Sequence, residues 1–193
     1  MGCKYCSIDI ETTGVNLDNC DIIEFGCVVD ELGSTINVNK LPTYHCYFVK
    51  QFYQGEPFAL SMHSKILKRI ADREKGYTYM SVTKFGNSFK QFLLKNGFEL
   101  ENDKVIINVA GKNFGSFDLQ FLNKQTDLSK HVIISNRILD PSILFLKNKD
   151  KRLPCLSECK KRANMPENVS HDAVSDARDI VVLLRKALEH KFY

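Results

Sequence analysis

The stretch Cys3-Lys4-Tyr5-Cys6-Ser7-Ile8-Asp9-Ile10-Glu11-Thr12-Thr13-Gly14 decides the reading of this chain. Cys3 to Ile10 is mostly apolar and Thr12-Thr13-Gly14 is a turn signal, so the segment predicts a buried strand. Residues two apart on a strand share a face, which projects Asp9 and Glu11 together and turns Ile8 and Ile10 to the other side, under a helix. Two carboxylates on one face of a buried strand repel each other and lose hydration. A divalent cation relieves both problems, because hard cations prefer oxygen ligands. The competing reading is a strand end open to solvent, where acids are ordinary.

Two further acidic positions stand far along the chain. Lys104 to Ala110 is β-branched and apolar and predicts a second buried strand. Gly111 to Gly115 breaks it, and Ser116 is a good N-cap for a helix through Leu122, with Asp118 in its first turn. That location, after the carboxyl end of a strand, is where open α/β sheets collect ligands. An acid in a first turn is also favoured by the helix dipole alone. From Ala173 to Lys191 the pattern predicts the longest helix, with Ala173, Ala177, Ile180, Val181, Leu184 and Leu188 on its apolar stripe. Asp176 borders that stripe beside two small alanines, which permit close approach to a sheet. His171 precedes the helix, and a histidine, titrating near neutrality, is suited to deprotonate water.

These positions resemble the DEDDh-type 3′–5′ exonucleases of the ribonuclease H-like superfamily, which include proofreading epsilon subunits, oligoribonuclease and ribonuclease T. Asp-x-Glu-Thr-Thr-Gly matches at Asp9 to Gly14, Asn-x-x-x-Phe-Asp at Asn113 to Asp118, and His-x-x-x-x-Asp at His171 to Asp176. The resemblance implies an α/β, ribonuclease H-like fold: a mixed five-stranded sheet, an antiparallel meander followed by parallel strands, flanked by helices. It implies that Asp9, Glu11, Asp118 and Asp176 hold two Mg²⁺ or Mn²⁺ ions, that His171 is the general base, and that nucleoside 5′-monophosphates leave from a 3′ end. Thr12, with Thr13 and Gly14, is expected at the terminal sugar, where Gly14 lets the substrate approach the backbone. Phe58 to His63 resembles the segment lining the terminal base pocket, with Met62 and His63 stacking on the base within a helix from Ala59 to Ala71. Phe114 is a further stacking candidate, set against a role as a core anchor. Lys112 departs from the histidine that many relatives carry, and a substrate phosphate is its expected contact, beside Asn113.

The remainder sets bounds. At 193 residues and 44% hydrophobic the chain is expected to form one domain, residues 1–193. Its net charge of +4 suits a protein that meets polyanions around an acidic centre. Lys147, Lys149, Lys151, Arg152, Lys160, Lys161 and Arg162 crowd one segment and read either as a phosphate-facing surface or as a solvated face. Seven cysteines without a secretory signal read as reduced thiols, and Cys3-x-x-Cys6 is rejected as a zinc pair because strand positions alternate faces. No stretch has the length of a membrane helix, so a soluble, cytoplasmic protein without membrane contact is expected. Early strands are expected over Asp21–Asp30 and Thr43–Val49, a helix over Ser81–Asn96 capped by Gly97, and a short strand near Arg137–Leu139. Lys50 to Pro57 reads as a loop on the substrate side. The expected partners are single-stranded DNA or RNA 3′ ends. A homodimer is compatible with the family, and a polymerase partner is compatible but not indicated. The alternatives in function are a partner-dependent proofreading or processing subunit and a catalytically silent nucleic-acid-binding module.

Overall fold

The computed structural model describes residues 2–168 and 170–189. The chain runs β1 (Lys4–Thr12), β2 (Ile22–Glu31), β3 (Thr43–Phe48), α1 (Pro57–Met62), α2 (Ser64–Asp72), β4 (Tyr79–Met80), α3 (Val82–Lys95), β5 (Leu100–Glu101), β6 (Lys104–Ala110), α4 (Asp118–Gln125), α5 (Leu128–His131), β7 (Val132–Leu139), α6 (Leu156–Arg162) and α7 (Ala173–Glu189). The expected helix positions 190–191 lie outside the described residues.

β1, β2 and β3 form the antiparallel meander, and β1 then pairs in parallel with β6, which pairs in parallel with β7. These five strands are the expected mixed sheet. Two-residue strands extend it, β4 beside β3 and β5 beside β6. The strand expected near Arg137–Leu139 begins earlier, at Val132, because Val105 to Ile107 of β6 offer a register for Val132 to Ile134.

The two faces of the sheet carry different loads. Ile8 and Ile10 pack with Phe25, Phe85, Phe89 and Phe121 beneath α3 and α4. Phe25 lies 4.6 Å from Phe85 and 5.1 Å from Phe89, centroid to centroid, in edge contacts. Burying each such ring contributes about 1.5–3 kcal/mol. α3 is bounded as its sequence demands: Ser81 accepts from the Thr83 N–H, and Gly97 follows at φ +76°. On the opposite face α7 packs through Ala177, Ile180, Val181 and Leu184 onto Tyr5 and Val28.

Three expected elements differ. The helix expected from Ala59 to Ala71 is two helices that meet at His63, which caps both. Ser116 is not an N-cap: its hydroxyl donates to the Asn113 carbonyl, and α4 starts after Phe117. Lys160 and Arg162 do not belong to a basic face, because Lys160 is buried against Asp179 and Arg162 pairs with Asp150 and Glu158. Lys147, Lys149, Lys151 and Arg152 remain exposed. All seven cysteines are free thiols, with Cys3 exposed and Cys6 buried as strand alternation requires. Among the described residues no helix is long and apolar enough to cross a membrane.

Candidate active site

Asp9 and Glu11 stand on the α7 face of β1, opposite Gly26 and Glu24 of β2. The glycine lets α7 approach. A Cβ on Gly26 would lie 2.4 Å from the Ala173 backbone, and one strand over Ser7 Oγ donates to the Ala177 carbonyl at 2.8 Å. The small residues expected to draw the helix in therefore have a small partner on β2. At the start of α7, Asp172 Oδ1 accepts from the Ser175 N–H, while Asp176 Oδ1 accepts from the Ser170 hydroxyl at 2.9 Å and its N–H at 3.3 Å. Pairing between β1 and β6 ends at Ser7 and Ala110. Beyond it, Asp118 Oδ1 accepts the Ile10 N–H at 3.2 Å, which draws the first turn of α4 against β1.

These segments enclose an open cleft of about 450 Å³ lined by Asp9, Glu11, Asp118, His171 and Asp176, with Lys112, Asn113, Phe117 and Leu156 at its margins. Glu11, His171 and Asp176 each offer a ligand atom within 4.8 Å of the others. Glu11, Asp118 and Asp176 are buried and Asp9 is half-buried. His171 is exposed, in a left-handed backbone conformation at φ +49°.

Burial is the first cause of the electrostatics here. It pushes Asp9 well above the carboxylate range, with Asp118, Glu11, Asp176 and Glu24 adding repulsion. Burial, then Glu24, Asp176 and Asp118, push Glu11 up to about 9. Burial raises Asp118 to about 7 against hydrogen bonds that favour its charged form, and it raises Asp176 against the bonds from Ser170. Four crowded oxygen donors that take up protons for want of compensating charge fit hard divalent cations, and Asp9, Glu11, Asp118 and Asp176 are the residues that would hold them.

A pH dependence follows. A carboxyl whose folded pKa lies above its unfolded value binds more protons in the folded state, so stability falls as pH rises from the unfolded to the folded pKa. For Asp118 and Glu11 that span ends at about 7 and about 9. The melting temperature of metal-free protein is expected to fall from pH 7 to pH 8.5, and added Mg²⁺ is expected to restore it most at pH 8.5. Calorimetry checks this; a metal-free melting temperature that holds or rises over that interval contradicts it.

The other expected positions divide. Thr12 is buried, its hydroxyl donating to the Gly14 carbonyl at 2.7 Å. Thr13 is fixed by the protein itself: its carbonyl accepts from Glu56 N–H and its hydroxyl accepts from Asp21 N–H. The irregular stretch from Lys50 to Pro57 thus lies against the Thr13 segment. The room left by Gly14 is taken internally, since a Cβ there would meet Cys20 Sγ at 2.6 Å and Glu56 Cδ at 2.7 Å. Met62 is exposed, as stacking requires. His63 is not free to stack: it is buried with Nε2 3.3 Å from Glu11 Oε2, and burial, then His171, lower its pKa. Phe114 is fully buried in the core beneath β1 and β6, which excludes stacking. Lys112 Nζ donates to Asn113 Oδ1 at 2.9 Å and lies 3.8 Å from Asp140.

Sequence reasoning missed Glu24, Phe117, Leu156 and Ser170. Only Glu24 carried a signal, as a lone acid in the apolar run Ile22-Ile23-Glu24-Phe25. Phe58 and Val15, 79% and 74% exposed, are large apolar groups on the segments next to Met62 and Gly14.

No protein-family model matches the chain, and no curated protein matches it in sequence. Solved structures of exonuclease I from E. coli share its fold. The zinc-bound form of the exonuclease I complex with single-stranded DNA gives a TM-score of 0.62 at 12% identity, covering 100% of this chain and 41% of that one. The complex with a dT13 oligonucleotide gives 0.64 at 14% identity, covering 97% and 41%. The chain spans about two fifths of the length of those proteins. The architecture is accordingly ribonuclease H-like, a mixed sheet flanked by helices.

Proposed function

We propose that this chain is a metal-dependent 3′–5′ exonuclease of the DEDDh type, acting as one domain over residues 1–193 on single-stranded nucleic acid. One observation carries the reading: four carboxylates and a histidine, drawn from three distant segments, line one cleft. The exonuclease I structures that share the fold include complexes with single-stranded DNA and a dT13 oligonucleotide, which supports a single-stranded substrate.

Asp9, Glu11, Asp118 and Asp176 would hold two Mg²⁺ or Mn²⁺ ions, which supply charge neutralisation at a phosphodiester and acidify water. His171, exposed at the cleft, takes the proton from the attacking water, a role typically worth about 10²–10⁴-fold. His63, with Nε2 3.3 Å from Glu11 Oε2, restrains that carboxylate. Lys112, which lines the cleft, would meet a phosphate, and exposed Met62 and Phe58 would stack on bases. The reaction expected is stepwise release of nucleoside 5′-monophosphates.

The test uses single-stranded DNA and RNA of matched sequence, labelled at either end, with Mg²⁺ or Mn²⁺ and with EDTA as control. Stepwise, EDTA-sensitive shortening from the 3′ end is expected, and the faster substrate identifies the preferred sugar. Failure of both nucleic acids to shorten with either metal rejects the proposal.

A further inference from the structure

Glu24 is fully buried in β2, where its cross-strand partner is Glu11. A buried carboxylate is costly unless it is paired. Both oxygens of Glu24 are engaged. Oε1 accepts from His45 Nε2 at 2.7 Å, and Oε2 accepts from the Ala173 N–H at 3.4 Å. His45 is itself held edge-on against Tyr47, at 4.7 Å and 89°.

Ala173 opens α7, and the first amides of a helix have no acceptor within it. Negative charge is favoured there by the helix dipole. Two residues further along β2, Gly26 gives the Ala173 backbone its seat. His171 lies two residues before this anchor and Asp176 three residues after it. Glu24 is not among the residues lining the cleft.

We propose that the Glu24–His45 pair is a positioning device, which latches the first turn of α7 to β2 and thereby sets His171 and Asp176 across from Asp9 and Glu11. This rests on the exonuclease reading for its effect on turnover, but not for its effect on metal binding.

The double variant Glu24→Met/His45→Phe replaces the pair by apolar groups of similar volume, an exchange that often leaves stability unchanged or raised. Its expected result is a folded protein with KM for the oligonucleotide near that of wild type, a kcat lower by about 10–100-fold and Mn²⁺ bound correspondingly more weakly by electron paramagnetic resonance. Glu24→Gln keeps an oxygen for the Ala173 N–H and is expected to retain wild-type kcat. Wild-type kcat and Mn²⁺ affinity in the folded double variant overturn the proposal. Should the double variant not fold, Glu24→Gln decides. Retained kcat supports a hydrogen-bonding role; folding with a loss as deep as that of Asp9→Asn overturns it, because Glu24 would then act as a catalytic carboxylate. An inactive wild-type protein defeats the exonuclease reading instead, while Mn²⁺ binding by the variants still tests the latch.

Discussion

Asp9→Asn is expected to lower metal-dependent shortening of a 3′-labelled oligonucleotide on the order of 10³-fold or more, since it would remove one of the proposed oxygen ligands while keeping the side chain's shape. The same variant should be more stable than wild type without metal. Asp9 is crowded first by burial and then by Asp118, Glu11, Asp176 and Glu24, all of which oppose its charge. Neutralising it relieves that repulsion, and each 1 kcal/mol gained raises the melting temperature of a chain this size by about 2–4 °C. Added Mg²⁺ should reverse the order, stabilising wild type more than the variant. Cleavage at the wild-type rate rejects the ligand role of Asp9. A lower melting temperature for the metal-free variant rejects the repulsion argument even if cleavage is lost.

His171→Ala is expected to slow cleavage by about 10²–10⁴-fold, the usual worth of a general base. Because His171 is exposed, free imidazole can reach the vacated position and should restore part of the rate. The structure supplies a competing role, since His171 stands within 4.8 Å of ligand atoms on Glu11 and Asp176 and could itself bind an ion. Mn²⁺ titration separates the two. Affinity close to wild type supports the base, whereas affinity lost in step with activity makes His171 a ligand. An unchanged rate would assign proton transfer to another group.

Both experiments address residues legible in the sequence, and the reason is local. Asp9 and Glu11 share a strand face by simple alternation, and Asp176 borders a helical stripe whose period is plain. β6 and α7 were legible on the same grounds. Less local features were not. The apolar period of the helix expected from Ala59 to Ala71 runs unbroken through His63, whereas the break between α1 and α2 falls at His63, the residue whose ring meets Glu11. The first half of β7 alternates poorly and is held by its partner β6, as tertiary pairing often overrides propensity. Phe114 and Phe117 have the same side chain three residues apart, yet one is sealed in the core and the other borders the cleft. Spacing alone does not separate them. Gly14 was read for what could approach it from outside, whereas the atoms that a Cβ there would meet are the protein's own Cys20 and Glu56.

The hydrogen bond from Ser7 to Ala177 joins residues 170 positions apart, and the cleft depends on what it ties together. At synthesis rates of 5–20 residues per second, roughly 10–30 s separate the emergence of its two ends from the ribosome. The β1–β2–β3 meander is built from neighbouring segments and can pair early. The Gly26 seat must then wait for α7, and Asp9 and Glu11 wait with it for Asp176. The cleft thus exists only once α7 has emerged, and a polypeptide interrupted before residue 171 would carry the sheet without the cleft's histidine or its fourth carboxylate. Such a chain would also leave the α7 side of β1 and β2 bare, a surface suited to chaperone capture. Slow closure is the kinetic counterpart of a cleft assembled from segments far apart in the sequence.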